Sequence, residues 1–269
     1  MVPMRPGRAW PRPGIGRGLA DRPRKARQSA HAGRGYARVV EPQTLTALLL
    51  AGGAYLLGSI PVGYLIARAK GVNILAVGSG NIGATNVRRV LGPKPGALCF
   101  VLDVLKGLVP TLVSGVVLGT LGDLEAPASS VWLWLLTPVL AVVGHVASPW
   151  LGMRGGKGVA TGLGALLGVF WVLTAAVVLA LGVWFAVLRI GRYVSLASVA
   201  AALSVPAWAA LLPVLVLGRL PGSAVPMVVV AVALAALVVL RHAGNLRRIA
   251  QGTEPKIGRP RRAGPQTPA

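Results

Sequence analysis

Acidic side chains are scarce in this 269-residue sequence: Asp and Glu together number six, against 28 Lys and Arg. The three histidines, His31, His145 and His242, show no metal-ligand spacing. The one cysteine, Cys99, excludes an internal disulfide and any cysteine-cluster metal site. A protein-held metal ion is not expected from so few ligands, nor is a bound cofactor. Charge as a whole is thin, 13% of residues against the roughly 25% usual in soluble domains. What fills the chain instead is apolar: 54% of residues are hydrophobic and the mean hydropathy is +0.69.

The apolar residues are not arranged as amphipathic stripes. They come in blocks near 44–66, 96–121, 131–150, 158–169, 170–188, 193–218 and 222–240, and about 20 residues suffice to cross a hydrocarbon core about 30 Å thick. The expected fold is an all-α integral membrane protein with about seven transmembrane helices. The run from Gly158 to Leu188 is too long for one upright span and short for two; its glycine-rich first half (Gly158, Gly162, Gly164, Gly168) predicts a short or re-entrant helix followed by a full span. Six spans are the other count this run permits.

A net charge of +22 suggests a nucleic-acid partner until its distribution is read. Lys and Arg sit in the tails and in short gaps between apolar blocks, so no nucleic acid is expected and the bilayer itself is the partner. With seven spans, the loops 67–95, 151–157 and 189–192 and the C-terminal tail share one side and hold sixteen Lys/Arg; the opposite loops hold only Arg219. The positive-inside bias places the first side in the cytoplasm. Residues 1–43 are expected to be a disordered basic extension, with ten Lys/Arg in the first forty, and not a signal peptide. Seven spans leave this extension outside, against the bias; a true start near Val39 is its alternative reading. A membrane domain over 44–258 and a disordered tail over 259–269 complete the division.

Three polar motifs stand out on the cytoplasmic side. The first runs from Gly78-Ser79-Gly80-Asn81-Ile82-Gly83 through Ala84-Thr85-Asn86 to Arg88-Arg89. Its glycines, Asn81, Thr85 and Asn86 offer N–H groups, amides and a hydroxyl to an anion, and its arginines offer planar forks for phosphate. A polar turn with topology-setting arginines is the plainer reading, but it needs no such density of Gly and amides. The second, Arg154-Gly155-Gly156-Lys157-Gly158, opens a helix; glycine N–H groups, a helix dipole and a lysine form an anion cradle, though the Walker A spacing is absent. The third starts at His242, with Asn245 on the same helical face; a snorkelling basic helix end explains its arginines but not this pair. Within an apolar block lie Asp103 and Lys106, which can pair at i, i+3 or face the anion site from the protein interior.

Taken in order, these motifs resemble those of the bacterial acyl-phosphate:glycerol-3-phosphate acyltransferases, the PlsY family. Gly58-Ser59-Ile60-Pro61, Asp103-Val104-Leu105-Lys106-Gly107, Gly144-His145 and Val159-Ala160-Thr161 extend the likeness, which runs from about residue 44 to 258; Val146-Ala147-Ser148-Pro149 departs from it. The resemblance implies a seven-helix bacterial plasma-membrane enzyme with a cytoplasmic active site and an external N-terminus. It implies acyl transfer from acyl-phosphate to the 1-hydroxyl of glycerol 3-phosphate, giving 1-acyl-glycerol 3-phosphate (lysophosphatidic acid) and phosphate, the first acylation of phospholipid biosynthesis. Ser79, Arg89, Lys157, His242 and Asn245 match the family's catalytic positions. Gly155, Gly156 and Gly158 match its phosphate loop, and Glu254 matches a structural glutamate. Asn81, Thr85, Asn86 and Lys106 are expected to contact substrate, with either His242 or a substrate phosphate taking the proton. A transporter of a phosphorylated or anionic small molecule is the alternative, but it should show internal repeats and mid-span polar residues. The oligomeric state is not specified.

Overall fold

The computed structural model describes residues 41–257; the expected disordered segments fall almost entirely on residues 1–40 and 258–269, outside the described range. All regular elements in that range are helical. Six stretches are long and apolar enough to cross a bilayer: Pro42–Arg68, Pro93–Val117, Ala128–Leu151, Val172–Gly191, Val194–Leu217 and Ala224–Ala250. The first is two helices, α1 (Pro42–Ser59) and α2 (Val62–Arg68), broken at Ile60-Pro61 because proline cannot continue the hydrogen-bond ladder. A short amphipathic helix, α3 (Ala84–Leu91), follows on the first motif and ends at Gly92, whose φ of 95° only glycine adopts readily. Then come α4 (Pro93–Val117), α5 (Ala128–Val146), a 3-10 turn (Pro149–Leu151) and α6 (Val159–Leu167). The last three are α7 (Val172–Gly191), α8 (Val194–Leu217) and α9 (Ala224–Ala250).

The run from Gly158 to Leu188 resolves into a short helix and a full span. α6 has nine residues, roughly 14 Å at 1.5 Å per residue. It lies parallel to α4 in close contact, because glycines leave room for backbone. A Cβ on Gly107 would lie 2.2 Å from the Thr161 carbonyl oxygen, one on Gly164 1.9 Å from that of Val104, and one on Gly168 2.8 Å from Thr111. Small residues spaced four apart are how membrane helices approach this closely without a hydrophobic drive between them. α6 starts at the depth of Val104 and Gly107, and the turn after it brings Phe170 beside Gly122 at the opposite end of the bundle. The chain thus passes from the motif end of the bundle to the opposite end through a half-length helix packed within protein, beside six stretches long enough to span.

The bundle buries several polar side chains beside its apolar core and turns large apolar ones outward. Asp103, Lys106, Thr111, Ser114, Thr137 and His145 are buried, while Leu49, Ile190, Val216 and Leu240 are 68%, 87%, 71% and 72% exposed. This is the pattern of a protein whose outer surface meets lipid. The main core forms around Trp134, Leu135 and Leu173, and Trp134 Nε1 donates to the Thr111 carbonyl at 2.9 Å. A second apolar cluster of Val62, Ala67, Ile74, Ile82, Val87 and Cys99 lies under the first motif and anchors that loop to α2, α3 and α4.

Candidate active site

The first motif is a loop organised around one side chain. Asn86 is 2% exposed, its Oδ1 accepting the Ser79 N–H at 2.8 Å and its Nδ2 lying 2.9 Å from the Asn81 carbonyl and 3.2 Å from that of Val77. Asn81 in turn accepts the Gly83 N–H at 2.9 Å. A Cβ on Gly78 would fall 2.2 Å from Asn86 Oδ1, so the loop needs glycine there. Both ends of the Asn86 amide are thus engaged by loop backbone, and Arg89 Nη1 reaches its Oδ1 at 3.3 Å. Ser79, Thr85 and Arg89 are exposed on the surface of this frame, and no hydrogen bond joins the Ser79 or Thr85 side chain to the other motifs.

The second motif folds back over the end of α5. The Gly156 N–H donates to the His145 carbonyl at 3.0 Å. Side chains are excluded here: a Cβ on Gly155 would sit 2.0 Å from the His145 oxygen, and one on Gly156 2.0 Å from His145 Nε2. Gly158 then opens α6 at φ 80°. The carbonyls of Gly155 and Gly156 accept Arg241 Nη2 at 3.2 and 3.1 Å, so the loop is pinned from α9 as well. Arg241 was legible only as a basic helix end; nothing in its spacing marks it as a partner of residues 86 and 85 positions earlier.

The second and third motifs meet directly. Lys157 Nζ donates to Asn245 Oδ1, and Asn245 Nδ2 donates to Glu254 Oε1 at 2.6 Å. Glu254 also accepts Ser195 Oγ at 3.0 Å and, on its other oxygen, Arg248 Nε at 2.8 Å. The segment after α9 is thereby strapped to the start of α8, and the Ile257 N–H reinforces it by donating to the Arg192 carbonyl at 2.9 Å. Burial pushes the Glu254 carboxyl up, but the hydrogen bonds from Asn245, Arg248 and Ser195 outweigh it and leave it below the usual carboxylate range. His242 is 3% exposed and its Nδ1 lies 2.8 Å from the Val238 carbonyl. A carbonyl only accepts, so Nδ1 carries the proton and Nε2 keeps the free lone pair.

Charge gathers at Lys157. Its ammonium is pushed down to about 8, first by burial and then by the fields of Arg248, Arg241 and Arg89, with Glu254 opposing. Three motifs distant in sequence thus act on one locality. Lys106 lies apart from that surface: it is 5% exposed, donates to the Ile60 carbonyl at 2.9 Å and pairs with Asp103 at 2.9 Å. With Arg89, Lys157, Arg241 and Arg248 against the single carboxylate of Glu254, the arrangement suits phosphate-bearing ligands.

Known proteins point the same way. The family model described as glycerol-3-phosphate acyltransferase matches residues 48–252. A glycerol-3-phosphate acyltransferase of Parasynechococcus marenigrum (strain WH8102) is 41% identical over 218 residues, covering 81% of this chain and 92% of that one. One from Geobacter sulfurreducens is 41% identical over 210 residues, covering 78% and 97%. Among solved structures, the glycerol 3-phosphate form of PlsY (YgiH), an integral membrane glycerol 3-phosphate acyltransferase, superposes with a TM-score of 0.67 at 39% identity, covering 79% of this chain and 96% of that one. Its lysophosphatidic acid form gives 0.65 at the same identity, covering 79% and 95%. On this match in sequence and fold, the chain belongs to the glycerol-3-phosphate acyltransferase family of multi-pass membrane enzymes.

Proposed function

We propose that this enzyme transfers a fatty acyl group from acyl-phosphate to the 1-hydroxyl of glycerol 3-phosphate, releasing 1-acyl-glycerol 3-phosphate (lysophosphatidic acid) and phosphate on the cytoplasmic face. The observation that carries the reading is the contact of Lys157 with Asn245, which joins the glycine loop to the His242–Asn245 face amid four cations. Two phosphates must be held side by side, and the exposed Ser79, Thr85 and Arg89 with the half-buried Lys157 supply donors for both.

Acyl-phosphate is already activated, and phosphate is a good leaving group, so no covalent acyl-enzyme is required. The glycerol oxygen bonds to the acyl carbon, the bond from that carbon to the phosphate oxygen breaks, and its electron pair leaves with the phosphate. The hydroxyl proton passes to a substrate phosphate oxygen or to His242 Nε2. Proximity and positive field lower the barrier, with Lys157, Arg89 and loop N–H groups stabilising charge that develops on oxygen. Ser79 and Asn245 orient the hydroxyl and polarise the carbonyl, while Asn81 and Asn86 hold the first loop in its anion-facing shape. The acyl tail stays in the bilayer, against an apolar groove of about 320 Å³ between α1 and α4 whose walls include Leu49, Leu57, Val109 and Val113.

The test is purified protein with glycerol 3-phosphate and either acyl-phosphate or acyl-CoA, without added metal. Acylated product and phosphate with acyl-phosphate alone are expected. Product only with acyl-CoA, or none from either, would overturn the donor assignment.

A further inference from the structure

Beneath the anion-binding surface lies a buried group of ionisable side chains to which the proposed chemistry gives no role. Asp103, Lys106 and His145 are 2%, 5% and 4% exposed. Asp103 Oδ1 faces Lys106 Nζ at 2.9 Å and His145 Nδ1 at 3.6 Å. Neither contact has hydrogen-bond geometry, and Asp103 Oδ1 and His145 Nδ1 have no hydrogen-bond partner elsewhere among the described residues. On its other oxygen, Asp103 lies 3.6 Å from Cys99 Sγ.

The three partners of Asp103 each reach a different segment around the two glycine-rich motifs. Cys99 Sγ lies 3.8 Å from the carbonyl of Ile82, inside the first motif. Lys106 donates to the carbonyl of Ile60, at the break where α1 gives way to α2 and the chain turns toward that motif. His145 supports the second motif twice: its carbonyl accepts the Gly156 N–H, and its ring fills the space that a Cβ on Gly156 would need. One carboxylate on α4 is thus within a single side chain of both glycine-rich loops. Paired ionisable groups inside a membrane bundle are costly to place and persist where they have work to do.

We propose that Asp103 is a positioning residue: through His145 on one side and Cys99 and Lys106 on the other, it sets the separation of the 78–83 loop from the 154–158 loop. The function proposed above needs two phosphates held at a fixed distance, so this inference rests on that reading. Loop separation can nevertheless be measured without turnover. A buried ion pair whose only task is helix packing would leave that separation, and ligand affinity, untouched once the protein has folded.

The experiment compares His145→Ala with an Asp103→Asn/Lys106→Met double variant, which removes both buried charges together and so avoids stranding one. Val77→Cys and Met153→Cys, at exposed positions 37% and 58% accessible, carry spin labels one residue before each loop, and Cys99 is buried from the reagent. In full-length protein in nanodiscs, the parent is expected to give one narrow distance distribution. Both variants should broaden it and raise KM for glycerol 3-phosphate about tenfold, less than the roughly hundredfold that a 1 Å misplacement can cost, with a smaller change in kcat. An unchanged distribution and an unchanged KM in either monodisperse variant would overturn the proposal. Should one variant fail to fold, the other decides. A parent that is inactive yet shows a narrow distribution broadened by the variants would count against the proposed reaction and for the positioning role.

Discussion

Lys157 and Asn245, 88 residues apart, share a hydrogen bond that closes the glycine loop onto the last transmembrane helix. Asn245 is polarised from both ends, since its amide oxygen accepts a hydrogen bond from Lys157 while its amide N–H donates one to Glu254. The lysine is thereby aimed by a residue that is itself aimed by the strap after α9.

Alanine at Asn245 removes that aim without opening a large cavity, because the residue is only half-buried. Asn245→Ala, Ser79→Ala and Arg89→Ala are each expected to fold and to lose at least about tenfold in turnover, the loss of one oriented donor in a preorganised site. Initial-rate kinetics on monodisperse protein check this; parental rates in all three would remove these residues from the reaction.

The depressed Lys157 predicts a pH dependence. A lysine lowered to about 8 is charged below that pH and neutral above it. A reaction that needs its charge therefore slows as pH rises, with kcat/KM declining between about pH 7 and pH 9. A phosphate monoester, with a second pKa near 6, is already dianionic across this window, so the decline belongs to the enzyme. Lys157→Arg keeps its charge to beyond about pH 12 and should give a lower but flat profile. A parent profile equally flat would show that this charge does not control the rate.

Glu254 predicts a stability effect instead. Its carboxylate gathers Asn245, Ser195 and Arg248, and its side chain is only 8% exposed. Glu254→Gln presents an N–H to one of those donors and loses the ion pair, at a cost of about 1–3 kcal/mol. Thermal unfolding in detergent should show the loss at neutral pH. Because the folded carboxyl lies below its ordinary value, its contribution is present above the ordinary carboxylate pKa. It disappears as pH falls through the lowered one, so parent and variant should converge in acid.

The membrane spans, the half-length helix and the three polar motifs were readable in the sequence because each is a local signal of apolar length, glycine spacing or polar density. The break at Ile60-Pro61 is local as well. Asn86 was readable as a polar residue in an anion motif, but its bonds run to carbonyls 5 to 12 residues back, and these depend on how the loop closes. Arg241 and Arg248 carry the same charge in the same helical context, yet one pins Gly155 and Gly156 and the other holds Glu254. Helix rotation separates those roles, and a basic helix end encodes none of it.

The last prediction concerns which side of the membrane the site faces. The bundle brings the loops bearing Ser79, Lys157 and Arg192 and the end of α9 with Asn245 to one end, while Glu125 and Arg219 pair at the other. Lys and Arg translocate poorly, and among the described residues thirteen of them lie on the motif side against Arg219 opposite, so the motif side should remain in the cytoplasm. The sole natural cysteine is buried, which makes single-cysteine reporters straightforward. Leu220→Cys, at a position 41% exposed, should react with a membrane-impermeant maleimide on intact spheroplasts. Met153→Cys, 58% exposed at its position, should react only after permeabilisation. The half-length α6 makes this pair informative: if it returned to the side it left, Met153 and Leu220 would lie on the same face and label together. Opposite labelling therefore tests both the crossing by α6 and the orientation, and labelling of Met153→Cys alone in intact cells would turn the site outward, away from a cytoplasmic pool of glycerol 3-phosphate.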